Sequence, residues 1–170
     1  MKEIDFRYDL LPLKNKLFRL ALRITLDPVE AEDVTQDTLV RVWTKREELE
    51  QVTSLEAYCL TVCRNLSLDR KASKDRQVLS LDETADDPLD ASPDPFEQIA
   101  HDEKMKRVHA LFNQLPVKQR EVLQLRDIEG KNVNETAQIL GISPENVKVL
   151  LHRARTSIRE QYLKIENYGL

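Results

Sequence analysis

Glycine is scarce in this chain, with 3 among 170 residues, and none of them sits in a glycine-rich loop able to cradle a phosphate. Cysteine is scarcer still. Cys59 and Cys63 stand four apart in a helical pattern, with no second pair and no histidine close in sequence, whereas a structural zinc site needs about four ligands. They read as small core or boundary residues, and no metal is expected. The three histidines, His101, His109 and His152, lack a serine, cysteine or carboxylate set at nucleophile or metal spacing. No catalytic residue, cofactor or enzymatic activity of its own is therefore expected. No run of about 18 apolar residues occurs, and the opening Met1-Lys2-Glu3-Ile4-Asp5 lacks a signal-peptide core, which predicts a cytoplasmic chain.

What is present is charge and helical periodicity. Charged residues make up 33% of the chain, strands are hard to find, and the length suits one ordinary domain or two small helical ones. The formal net charge of −4 is unevenly spread. Residues 1–76 hold 14 Lys+Arg and 14 Asp+Glu, residues 77–105 hold 1 and 9, and residues 106–170 hold 11 and 7. An acidic stretch therefore separates a neutral front from a basic back. Between Gln77 and Pro95 it carries Asp82, Glu83, Asp86, Asp87, Asp90 and Asp94 with Pro88, Pro93 and Pro95, the composition of an extended connector.

In the back part, Ser143 is an N-cap candidate and Pro144 suits a first helical position. From there Val147, Leu150, Leu151, Ala154, Ile158 and Tyr162 form one stripe. The remaining arc, with Glu145, Lys148, Val149, His152, Arg153, Arg155, Thr156 and Arg159, is polar and mostly cationic. A helix from Asn134 to Leu140 precedes it, with Ala137 four residues before Gly141 and Val147 six after. This is helix-turn-helix spacing: the alanine lets the helices approach, the glycine takes the turn, and the valine fills the angle. An ordinary helical hairpin with a solvated charged face is the alternative.

The front part predicts three helices. Leu11 to Leu26 carries Leu13, Leu17, Leu20, Ala21 and Ile24 at helical spacing, with Lys14, Lys16, Arg19 and Arg23 on other sides. Asp27-Pro28-Val29-Glu30 opens a second helix to about Lys45. On it Ala31, Val34, Thr38 and Val42 share one face, Asp33, Gln36, Asp37 and Val40 roughly the opposite one, and Trp43 lies at the border. Thr53-Ser54-Leu55-Glu56 reads as a capping box for a third helix with Leu55, Tyr58, Cys59, Val62, Leu66 and Asp69 inward. Ala57, Leu60, Thr61, Arg64, Leu68 and Lys71 read as outward. Arg70, Lys74 and Arg76 near its end offset the helix dipole or contact nucleic acid, and the sequence leaves both open.

Three stretches together, Asp33-Val34-Thr35-Gln36-Asp37-Thr38-Leu39-Val40-Arg41-Val42-Trp43, Tyr58 to Arg70, and Leu115-Pro116-Val117-Lys118-Gln119-Arg120-Glu121-Val122, resemble bacterial sigma factors of the sigma-70 family, extracytoplasmic-function (ECF) group. The resemblance covers nearly the whole chain, in the family's order. It implies an all-α protein of two small helical domains: sigma region 2 over residues 10–76 and a helix-turn-helix sigma region 4 over 106–165. The acidic linker and the start of a region 4 helix would occupy 77–105. The implied function is to bind core RNA polymerase and direct promoter-specific transcription initiation. A two-domain helix-turn-helix regulator that does not bind polymerase is the alternative, and it leaves the Asp33, Gln36, Asp37 face without a purpose.

By resemblance, Asp33, Gln36, Asp37 and Val40 would bind the coiled coil of the polymerase β′ clamp, with further contacts to the β subunit. Val40 on that face is apolar where solvent would favour a polar residue. Arg64, Asn65, Arg70 and Lys71 would anchor the downstream (−10) promoter element, whose bases are flipped into pockets, and residues 45–54 would form the base-reading loop. Tyr58 stands where the family often has tryptophan, and Asp69 is expected to hold helix geometry through a hydrogen bond. Glu145, Asn146, Lys148, Val149 and His152 would read the upstream (−35) element, with Arg153, Arg155 and Arg159 on phosphates. Lys131 and Thr136 replace apolar residues common in the family, which predicts slightly weaker packing. The acidic linker would thread a positively lined polymerase channel as an electrostatic substitute for RNA, or serve as a solubilising tether. An anti-sigma factor is a further candidate partner; no small-molecule substrate or membrane insertion is implied.

Overall fold

The computed structural model describes residues 3–80 and 103–168, and every regular element among them is helical. The acids Asp82, Glu83, Asp86, Asp87, Asp90 and Asp94 lie outside the described residues. The chain divides into two compact units, one within residues 1–90 and the other within 91–170.

The first unit is built on α1 (Lys14–Thr25), α2 (Pro28–Thr44) and α3 (Leu55–Ser80), preceded by short helical turns at Phe6–Leu10 and Leu11–Leu13. α1 stops where Leu26 takes left-handed backbone at φ 57°. Asp27 then caps α2, its carboxylate accepting from the backbone N–H groups of Val29 and Glu30, with Pro28 in the first turn. The chain is turned back within two residues. Ala31, Val34, Thr38 and Val42 are buried, as their spacing predicts, as are Leu17, Leu20, Ala21 and Ile24 of α1, the helix that packs on α2. Thr38 is tolerated in the core because its hydroxyl donates to the Val34 carbonyl at 2.8 Å. Arg23, which the pattern puts on an outward side, is also buried.

α3 corrects several further expectations. Its most buried residues are Cys59, Leu60, Cys63 and Ser67, whereas Tyr58 and Val62 are half-buried and Asp69 is exposed. The reason is that α3 packs against both α1 and α2, so its buried arc is rotated to include Leu60, which reads as outward from sequence. The Cys63 thiol donates to the Leu17 carbonyl at 3.2 Å and ties α3 to α1. Burial pushes both cysteines up to about 12, so they stay protonated and unreactive. Ser54 caps the helix in place of Thr53, its hydroxyl accepting from Ala57 N–H at 3.1 Å. At the other end α3 runs through Ser80, past the predicted start of the connector at Gln77.

The second unit comprises α4 (Glu103–Gln114), α5 (Val117–Leu123), a π-helical turn at Gln124–Ile128, α6 (Val133–Leu140) and α7 (Pro144–Tyr168). α6 starts one residue before the expected Asn134, because Asn132 and Glu135 form a reciprocal capping box. Gly141 follows at φ 66°, and Ser143 accepts from Asn146 N–H at 3.1 Å to begin α7. Ala137, Val147, Leu150, Leu151 and Ala154 are buried between the two helices and their support, so the helix-turn-helix is formed as its spacing predicts.

Thr136 is also fully buried, and its hydroxyl has no hydrogen-bond partner among the described residues. An unsatisfied buried hydroxyl costs roughly 1–3 kcal/mol. Thr136→Val, which keeps the shape and removes the polar atom, is expected to stabilise this unit by about 1 kcal/mol. Thermal melting checks this; an unchanged or lower midpoint contradicts it.

Candidate functional site

The outward face of α2 carries the first candidate set. Asp33, Gln36 and Val40 are exposed, Val40 at 60%, and Asp37 is half-buried beside them. Two arginines bear on this face. Arg41 Nε donates to Asp37 at 3.1 Å within the helix. Arg70 reaches across from α3: its Nη1 lies 2.5 Å from Asp33 and 3.0 Å from Glu30, and its Nη2 lies 3.8 Å from Asp37. Hydrogen bonds to Asp33 and Glu30 hold the Arg70 guanidinium above its ordinary range.

The second candidate set, Arg64, Asn65, Arg70 and Lys71, is not brought to one spot. Asn65 is exposed and lines a groove of ≈ 460 Å³ between the C-terminal half of α2 and α3, together with Val40, Lys45, Tyr58 and Asp69. Arg64 donates to the Asn65 side-chain oxygen at 3.3 Å. Arg70 is on the acidic edge of α2 instead, and Lys71 pairs with Asp75 at 2.9 Å one turn along α3. Asp69, expected on the inner stripe, is on the groove wall. The segment at 45–54 is partly regular, with a 3-10 turn at Arg46–Leu49 whose Leu49 is buried. The Arg46 guanidinium stacks 3.9 Å over the Trp43 ring, and Phe6 meets the same ring edge-on at 5.6 Å.

On α7 all eight candidates are exposed, on the arc opposite Val147 and Ala154. At about 100° per residue, Glu145, Val149 and His152 lie along the centre of that arc, Asn146 and Arg153 on one flank, and Lys148 and Arg155 on the other. Arg155 is committed: its Nε and Nη2 donate to both oxygens of Asp127 at 3.0 and 2.5 Å. Arg159 borders an apolar hollow with Val108, Phe112, Ile158 and Tyr162. Lys148 and Arg153 are exposed cations of this arc with no ion pair among the described residues.

Sequence reasoning did not single out Glu30 or Asp127 as partners of the candidate arginines Arg70 and Arg155. They lie 40 and 28 residues from them, and only the packing of helices brings them together.

Residues 12–77 match the family model of sigma-70 region 2, and residues 105–158 match that of sigma-70 region 4. The chain is 34% identical over 145 residues to the ECF RNA polymerase sigma factor SigL of Mycobacterium tuberculosis, covering 84% of this chain and 80% of that protein. It is 32% identical over 155 residues to a probable RNA polymerase sigma factor, RfaY, of Xanthomonas campestris. That match covers 89% of this chain, which spans only 38% of the relative's length. Among solved structures, the sigma factor RpoE of Bartonella quintana, crystallised with the anti-sigma factor NepR, is similar with a TM-score of 0.74. The identity is 26%, and the match covers 95% of this chain and 98% of that one.

Proposed function

The chain belongs to the sigma-70 family, ECF group, and on that premise we propose that it binds core RNA polymerase and directs it to start transcription at particular promoters. The observation that carries this reading is the exposed Val40 beside Asp33, Gln36 and Asp37, in a chain whose second unit is a helix-turn-helix. An apolar residue among acids suits a face that a cationic protein covers, here the β′ clamp coiled coil. The groove at Asn65, flanked by Arg64 and Lys45, offers polar and cationic groups to unstacked bases of the downstream element. The centre of the α7 arc would read base edges of the upstream element while its flanks hold phosphates. The chemistry of RNA synthesis belongs to the polymerase; this chain supplies selection.

The β subunit and an anti-sigma factor are the further partners we infer, the latter supported by the similarity to a sigma factor solved in complex with an anti-sigma factor. No helix among the described residues is long and apolar enough to cross a membrane, which fits work in the cytoplasm beside DNA. Transcription in vitro with core polymerase on fragmented genomic DNA tests the proposal. Defined start sites with a shared upstream sequence are expected, and transcripts no different from those of core alone would contradict it. Neutralising Asp82, Asp86, Asp87 and Asp90 together is expected to change the ratio of abortive to full-length RNA, because a negative segment in a positive channel competes with nascent RNA. Identical RNA profiles would make the segment a tether.

A further inference from the structure

We propose that Arg70 is a positioning residue that couples polymerase docking to DNA binding, because its one positive charge is shared between the acidic edge of α2 and a promoter phosphate. The proposal rests on reading that edge as the docking face. In the free chain the guanidinium lies within 2.5 to 3.8 Å of Asp33, Glu30 and Asp37, three carboxylates on successive turns of α2. A phosphate brought to Arg70 in this state would meet those carboxylates at close range, and like-charge repulsion opposes it.

The neighbouring cations do not have this property. Lys71 is tied to Asp75 on its own helix, and Lys74 to the Asp27 cap of α2, neither of which belongs to the docking face. Arg70 alone among these three lies on acids that a polymerase would take. When cationic groups of a partner neutralise Asp33 and Asp37, the guanidinium loses its reason to stay and its obstacle to binding phosphate together. Docking then raises DNA affinity, and by linkage bound DNA raises affinity for polymerase. Region 2 thus keeps one phosphate anchor in reserve until the enzyme is in place.

The test is a mutant cycle on the full chain, read by the anisotropy of a short fluorescein-labelled single-stranded DNA at low salt. The four forms are the unaltered chain, an acid-neutral set (Glu30→Gln, Asp33→Asn, Asp37→Asn), Arg70→Gln, and all four changes together. Neutralising the acids imitates docking and is expected to tighten DNA binding about three- to five-fold when Arg70 is present, the range one exposed charge contact carries. The gain should largely vanish in the Arg70→Gln background. Arg70→Lys, which keeps the charge, should retain part of it, so that damage to the fold is not mistaken for loss of the coupling. An equal gain in both backgrounds, or no gain in either, overturns the proposal. Copurification of the unaltered chain with core polymerase separates the two claims: failure there sinks the docking reading, whereas success there without coupling in the cycle sinks only the role given to Arg70.

Discussion

Val40→Lys is expected to leave the helix content and melting of the first unit unchanged and to weaken binding to core RNA polymerase by about thirty- to a hundredfold. Val40 is 60% exposed, so its side chain contributes little to the core of the free chain. Under a docked partner the situation reverses. A lysine there loses the apolar contact, must shed water, and adds a cation where the face presents Asp33 and Asp37 to a cationic surface; together these effects cost roughly 2–3 kcal/mol. A titration of labelled core polymerase with wild-type and variant chains gives the ratio of affinities. Equal affinities would remove this face from the interface.

The second large effect is expected on α7. Lys148→Ala with Arg153→Ala should weaken the holoenzyme's binding to promoter DNA by tenfold or more, on the order of 1–2 kcal/mol. Both residues are exposed, and they lie on opposite flanks of the arc whose centre is Glu145, Val149 and His152. With the flanks on phosphates, as proposed, the loss should be nearly independent of sequence and should flatten the dependence on salt by about one unit of slope per lost contact. Changes at the centre should instead alter which upstream sequence is preferred. Each single alanine variant is expected to be weaker than wild type; unchanged affinity of both in a salt-controlled gel shift would mean that another face of α7 meets DNA.

Local chemistry made much of this fold legible. Asp27-Pro28 and Ser143-Pro144 mark helix starts by rules that need no tertiary structure, and the α7 stripe from Val147 to Ala154 follows one helical period because α7 buries a single face. On α3 the arc buried against α1 and α2 is rotated from the expected stripe. A single-stripe reading put Leu60 outside and Asp69 inside, and the packing reverses both. The Asn132-x-x-Glu135 box was available in the sequence and would have moved the start of α6 by one residue.

The candidate surfaces divide in the same way. The α2 face is legible because all four of its residues sit on one helix, where spacing fixes direction. The grouping of Arg64, Asn65, Arg70 and Lys71 is not, because carboxylates on another helix draw Arg70 away while Lys71 pairs with Asp75 within α3. Arg70 is drawn to Glu30 and Asp33, and Arg155 to Asp127, by contacts that no local pattern contains.

The most direct measurement is size-exclusion chromatography of the purified chain with core RNA polymerase, beside the Val40→Lys variant. The wild-type chain is expected to elute with the enzyme as a stable complex, and the variant to elute largely free. Free elution of the wild-type chain, with any inhibitor removed and its helices intact, would contradict the account at its base.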